Sequence, residues 1–438
     1  MSKIAIIGAG NASFTRQFLN DMFTVPCMKG STYVLMGLTL SKLEKIKMYA
    51  DRLIGINNIR AEVMCTTDRR NALSRADFVI LAFGVGGMEA YTYDIEIPLK
   101  YNVKQCVGDT MGPGGIFHLL RGVTVMLEIG REIEELCPDA YVLNYTNPMG
   151  AMCTALRRST NMNVIGICNG VQSTLDVIAE CTGVAKTEID YIHAGINHMD
   201  WFLKLEHRGR NLYPVLRENM SKPDNYKKEK VRSELMFQCG YFMTETSGHL
   251  SEYLPWFRKN QKALDQYCDQ PLFGGETGAN LIYKKNMRKK FQNEEFSMSA
   301  KLEPRSEEYA SHIIEAVVTG IPYKFSGNVE NAGWITNLPQ NATVEVPVCA
   351  DREGYHPSYI GELPKQCAAM NLTNLIVQDM AAEAAINGNA EMVFWAVAMD
   401  PLTAAVLTLQ EIREMVKEMF FAEAKWLPQF EMEIVQRW

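Results

Sequence analysis

The segment "KIAIIGAGNASFTRQFLNDMF" constrains the fold most strongly, because it permits so few arrangements of the chain around it. A short run of aliphatic residues breaks at Gly8 and Gly10 and passes directly into an amphipathic helix. Apolar runs of this kind then alternate with helical stretches: "STYVLMGL", "AEVMCTTD", "DFVILAFGVGG", "AYVLNYTNPMG" and "NVIGICNGV". They are apolar throughout instead of alternating in polarity, so the strands are buried on both faces. Six of them separated by helices predict an α/β protein with a Rossmann-type, doubly wound parallel sheet at its N-terminus. Between the fourth and fifth strands the apolar spacing predicts a long helix over 119–137.

The pattern changes near Asp190. "DYIHAGINHMDWFLKLEHRG" reads as antiparallel strands turning at Arg208–Gly209–Arg210, and 321–350 holds further β-rich pieces. From Asn371 to Lys425 the chain is mostly helical. This predicts a dinucleotide-binding domain over 1–190 and an α+β lobe over 191–438, on the plan of lactate and malate dehydrogenases. The second lobe is expected to carry substrate, metal and oligomer contacts. Its apolar stretch "MVFWAVAMDPLTAAVL" suits a homodimer or homotetramer.

Composition narrows the partners. A formal charge of −7 argues against a nucleic-acid ligand. No run of eighteen apolar residues is present, so no membrane span is expected. Eleven cysteines without a CxxC pair, in a chain lacking an export signal, indicate reduced thiols and a cytoplasmic setting.

Gly8 and Gly10 form the first two positions of a G-x-G-x-x-G fingerprint whose third is Ser13. Gly8 permits the tight turn, and Gly10 lets backbone approach a pyrophosphate at the helix N-terminus. NAD is the expected cofactor. The acidic residue that would hold the ribose is replaced by Gly37. A 2′-phosphate could be served there by Thr39, Ser41 and Lys42, which keeps NADP open.

A second set of residues follows the strands: Asp109 in "GDTMGPGG", Asn147 in "NYTNPM", and Cys168 with Asn169 in "ICNG". Strand carboxyl ends share one edge of a parallel sheet, where ligands bind. His198 in "AGINHMD" and His249, Glu252 and Tyr253 in "TETSGHLSEYLPW" complete the set. Cys168 and His198 suit a divalent ion such as Mn²⁺, Fe²⁺, Co²⁺ or Ni²⁺ with open positions. Spacing alone favours a core thiol at Cys168, and a lone histidine such as His198 is more often a satisfied core residue.

These motifs, with "CPDAYVLNYTNPM", "GYFMTETSGHLSEYLPWF", "NLPQNATVEVPV" and "DPLTAAVL", resemble glycoside hydrolase family 4 nearly end to end, closest to its α-galactosidase branch. The resemblance implies an NAD- and metal-dependent glycosidase, with Mn²⁺ as the metal and a small sugar glycoside as substrate. It assigns Cys168 and His198 to the metal, Tyr253 to the base and Asp109 to the active-site loop. Asn147 falls on sugar hydroxyls, with Asn169 and His249 beside the sugar, and Gly8, Gly10, Asn11 and Ser13 on the pyrophosphate. It also implies the route: oxidation at C3, removal of the C2 proton, elimination at C1, addition of water and return of the hydride. Two positions depart from the branch, Asn169 in place of His and Gly37 in place of Asp. An α-hexuronidase therefore stays open, as do a 2-hydroxy-acid dehydrogenase and a degenerate binding protein.

Overall fold

The computed structural model describes residues 1–293 and 301–438. Its strands are β1 (Lys3–Ile7), β2 (Thr32–Met36), β3 (Glu62–Thr66), β4 (Phe78–Leu81), β5 (Tyr141–Asn144) and β6 (Val164–Ile167), followed by β7 (Asp190–Ile196), β8 (Met199–His207), β9 (Arg210–Asn211), β10 (Tyr323–Glu330), β11 (Thr343–Asp351) and β12 (Gly354–Pro357). The first six pair in parallel in the order β3-β2-β1-β4-β5-β6. This is the doubly wound order, with its switch point between β1 and β4. Every residue of β4 and of β6 is buried, as helices on both faces require.

The sheet does not end at β6. β10 joins it antiparallel, with Gly327 opposite Ile167, and β11, β7, β8 and β9 continue it. The C-terminal half thus widens the same sheet. The helix Lys365–Asn387 packs across Gly112–Leu136 and Met149–Ser159 and ties the last helices to the first half of the chain.

Two details differ from the sequence reading. The long helix expected over 119–137 begins seven residues earlier, as Gly112–Leu136, with Pro113 in its first turn. Proline is tolerated there because the amide it lacks would have no partner in the helix. A further helix, Gly87–Lys100, lies between β4 and that one. Asp109 therefore sits in a loop between two helices, and was wrongly expected at a strand end. Among the described residues no helix is long and apolar enough to cross a membrane.

Candidate active site

Two structures meet at the carboxyl edge of the parallel strands. The first is the turn after β1. Gly8 has φ of +95°, and a side chain there would overlap the carbonyl of Ala82 just beyond β4. Gly10 is exposed with open space where a Cβ would stand, so backbone is accessible at that point. Asn11 caps the helix Ala12–Thr24 by accepting from the Phe14 amide, and Ser13 is exposed in its first turn. That turn contains no acidic side chain, so unspent amides and the positive end of the helix face outward. Gly37 lies against this loop, its missing Cβ 3.5 Å from the Gly10 nitrogen. Thr39 makes no side-chain capping bond, and Ser41 and Lys42 are exposed beside it.

The second structure lies where β6 ends. Cys168 follows β6, and His198 occupies the second position of the two-residue turn joining β7 to β8. His198 has φ of +66°, a backbone that glycine or asparagine adopts far more easily. Glu245, which the sequence reading missed, shares this unusual backbone at +59°. Strain of this kind collects at functional sites. The ligand atoms of Cys168, His198 and Glu245 all lie within 4.8 Å of one another. The thiol stands 3.5 Å from Oε1 of Glu245. Gly170 makes this approach possible, since a Cβ at that position would overlap the same oxygen. A thiol, an imidazole and a carboxylate are a donor set for a borderline transition ion. Beside them, Asn197 is buried with neither polar atom of its side chain hydrogen-bonded.

The helix Ser247–Tyr253 supplies the facing wall. Its cap, Thr246, meets His249 Nδ1 at 2.8 Å, and the His249 ring centre stands 5.1 Å from that of His198. The Tyr253 hydroxyl lies 3.0 Å from His198 Nδ1, and Thr110 reaches the same nitrogen at 3.3 Å. This leaves Nε2 of His198 for a metal. Thr110 also donates to Asp109 at 2.9 Å, which accepts from Asn280 at 3.1 Å. Glu252 faces the other way and accepts three backbone amides, from Cys106, Val107 and Gly108. It therefore fixes the loop that presents Asp109. Asn169 is exposed and Asn147 half-buried, and among the described residues neither side chain makes a hydrogen bond that would occupy it.

The electrostatics follow from burial. His198 is held down to about 4 by burial, so its imidazole is neutral and able to ligate. The Cys168 thiol is pushed well above its ordinary range by burial and by the nearby carboxylates of Glu245 and Glu345. Tyr253 is raised for the same reasons, by burial and then by Glu252 and Asp109. Burial would raise Asp109 too, but Lys284 and the neighbouring histidines pull it below its usual value. A cation among these groups would favour thiolate and phenolate alike. Behind the trio, Nδ1 of His193 meets Asp200 at 2.5 Å, and Asp200 exchanges bonds with Thr244, which steadies the segment carrying Glu245.

The structure thus gathers Cys168, His198, His249, Tyr253 and Asp109 around one point. It also adds Glu245, Thr110, Asn280 and Gly170. Only the backbone at Glu245 and the hairpin turn at His198 reveal why these residues meet, and neither is visible as a motif.

Comparison with known proteins settles the family. The model of family 4 glycosyl hydrolases matches residues 3–184, and the model of the family's C-terminal domain matches 193–403. This chain belongs to family 4 of the glycosyl hydrolases. It is 40% identical to an α-galactosidase of Rhizobium meliloti, over 98% of this chain and 89% of that one. It is 37% identical to an α-galactosidase of Bacillus subtilis, over 98% of this chain and all of the relative. The 6-phospho-β-glucosidase of Thermotoga maritima, solved with manganese, NAD⁺ and glucose-6-phosphate, superposes with a TM-score of 0.79 at 20% identity, covering 97% and 99% of the two chains. The family 4 glycosidase therefore shares that fold over almost its whole length.

Proposed function

We propose that this family 4 glycosidase hydrolyses α-galactosides with NAD⁺ and a divalent metal, Mn²⁺ being the leading candidate. The observation that carries the reading is the thiol–imidazole–carboxylate trio lying one hydrogen bond from Tyr253. The residues fit both groups. The Gly8–Gly10 turn and the uncovered first helical turn suit a pyrophosphate, and three donors with a buried, unpaired Asn197 suit a metal. Cys168, His198 and Glu245 would hold the ion, and Gly8, Gly10, Asn11 and Ser13 the dinucleotide. Bound there, NAD⁺ would supply a reversible hydride acceptor for C3 of the sugar, and the metal would supply Lewis acidity toward the C2 proton.

The rest falls to the chain. Tyr253 is the base that removes the C2 proton. Its neighbour His198 keeps its proton on Nδ1 when Nε2 ligates, so it donates to the phenol oxygen and favours the phenolate. Burial works against that phenolate, so the tyrosine is a competent base only when the site is loaded. Asp109, held by Thr110 and Asn280, offers a fixed carboxylate to sugar hydroxyls or to the departing oxygen. Asn169, next to Cys168, offers an uncapped amide and His249 a ring beside His198, while Asn147 would bring its amide from the loop after β5. The α-galactosidase relatives favour the galacto configuration.

The test is hydrolysis of a panel of nitrophenyl α- and β-hexosides and hexuronides, with NAD⁺ and Mn²⁺ omitted in turn. Release from the α-galactoside that needs both, with solvent deuterium entering C2 of the product, is expected. Release that continues without nicotinamide rejects the route. A preference for α-galacturonide rejects the substrate.

A further inference from the structure

The helix Ala279–Asn293 enters the site with two side chains four residues apart, on one face. Asn280 donates to Asp109. One turn on, the Lys284 ammonium lies 3.9 Å from the centre of the Tyr91 ring. Tyr91 in turn donates its hydroxyl to the carbonyl of Val107, two residues before Asp109. Lys284 is half-buried, and among the described residues no carboxylate comes within ion-pair distance of it. A cation in such a place is costly unless a nearby anion or an aromatic face balances it. Asp109 is the anion the geometry offers: Asn280, one turn before Lys284, holds its carboxylate, and the Lys284 charge pulls that buried carboxyl below its usual range. The other buried cations nearby are already spent. Arg121 pairs with Asp94 and Glu423, Arg232 with Glu229, and Arg258 bonds carbonyls and hydroxyls.

We propose that Lys284 and Asp109 form one charge-compensated unit in the sugar pocket, and that this unit selects neutral hexosides over anionic ones. A bare ammonium at this position would attract a C6 carboxylate or phosphate. Balanced by Asp109 it has no net charge to offer, and an entering anion would meet the Asp109 carboxylate in a poorly hydrated site. Repulsion of the wrong ligand, more than attraction of the right one, then sets the specificity. The proposal rests on the α-galactoside reading and names the residues behind it.

The experiment measures binding of galactose, galacturonate and galactose 6-phosphate by calorimetry, with the protein holding NAD⁺ and Mn²⁺. The native chain is expected to prefer galactose. Asp109→Asn uncovers the ammonium and should shift the anion-to-galactose affinity ratio by about tenfold or more toward the anions. Adding Lys284→Met to that variant should abolish the shift. A ratio unmoved in D109N, a shift that survives in the double variant, or a native preference for the anions overturns the proposal. Should D109N fail to fold, the native background decides. K284R should keep the native ratio, and K284M should move it further toward galactose, whereas equal ratios in both refute the charge unit. Turnover of nitrophenyl α-galactoside by the native protein tests the underlying reading separately. Its absence, with the binding ratios as expected, would remove the galactosidase and leave the charge unit standing.

Discussion

Gly170→Ala separates the metal site from the stability of the fold. Gly170 opens the helix Gly170–Thr182 with an ordinary backbone, so alanine costs nothing locally. At the first helical position alanine should leave helix stability unchanged or slightly raised. The new methyl, however, overlaps Oε1 of Glu245 far inside the 3.0 Å at which something must move. Ordinary contact begins near 3.4 Å, so the carboxylate must retreat by about 1 Å or more. Metal ligation tolerates only ~0.2 Å. The thiol and imidazole stay in place, so binding is weakened and not abolished. A loss of about 10–100-fold in Mn²⁺ affinity follows, or ~1.4–2.7 kcal/mol. Free Mn²⁺ is read by electron paramagnetic resonance during titration, and thermal unfolding is followed in chelator. The expected result is weaker metal binding in a metal-free protein at least as stable as the native one, with Glu245→Gln showing the same metal loss. Native Mn²⁺ affinity in G170A would show that the carboxylate is no ligand. A large loss of stability in chelator would show that the overlap is relieved by the backbone instead.

Three further outcomes are expected. Tyr253→Phe should lower kcat by roughly 10²–10⁴-fold, with Mn²⁺ and NAD⁺ titrations nearly unchanged and solvent deuterium entry at C2 falling in step. Gly8→Ala forces a left-handed backbone and an overlap with Ala82, so it should cost ~2–4 kcal/mol in denaturant melts and strip NADH binding measured by fluorescence. His198 is held down to about 4 from 6.5 by burial, so the unfolded chain takes up this proton first. Its contribution to stability is complete above pH 6.5 and is lost as pH falls toward 4. Metal-free native protein should therefore lose stability over that window more steeply than His198→Asn, by up to one proton or ~1.4 kcal/mol per pH unit. Equal slopes would place the imidazole in water.

The parallel half of the sheet was legible residue by residue. Its inner strands are short, mainly apolar and flanked by helices, and burial on both faces leaves no other pattern; the edge strand β3 departs from it, with Glu62 and Met64 exposed. The glycine turn after β1 was equally plain, because Gly8 and Gly10 act through local backbone geometry. Cys168 was recognisable for a related reason: a strand end is a fixed address at the edge of a parallel sheet. Asp109 was misplaced because the helix Gly87–Lys100 carries apolar and charged residues without a clean boundary.

What the chain order could not express was which distant groups share a dielectric. Glu245 became a candidate ligand only when β6 and the segment after β8 brought its carboxylate onto Gly170. Lys284, one basic residue among several in "YKKNMRKK", became a counter-charge only when its helix lay against Asp109 and Tyr91. Local sequence determines where strands stop and turns form, because those depend on neighbouring residues and backbone sterics. Proton affinity and ligand geometry depend on charges within a few ångströms through desolvated space, and only tertiary packing decides which charges those are.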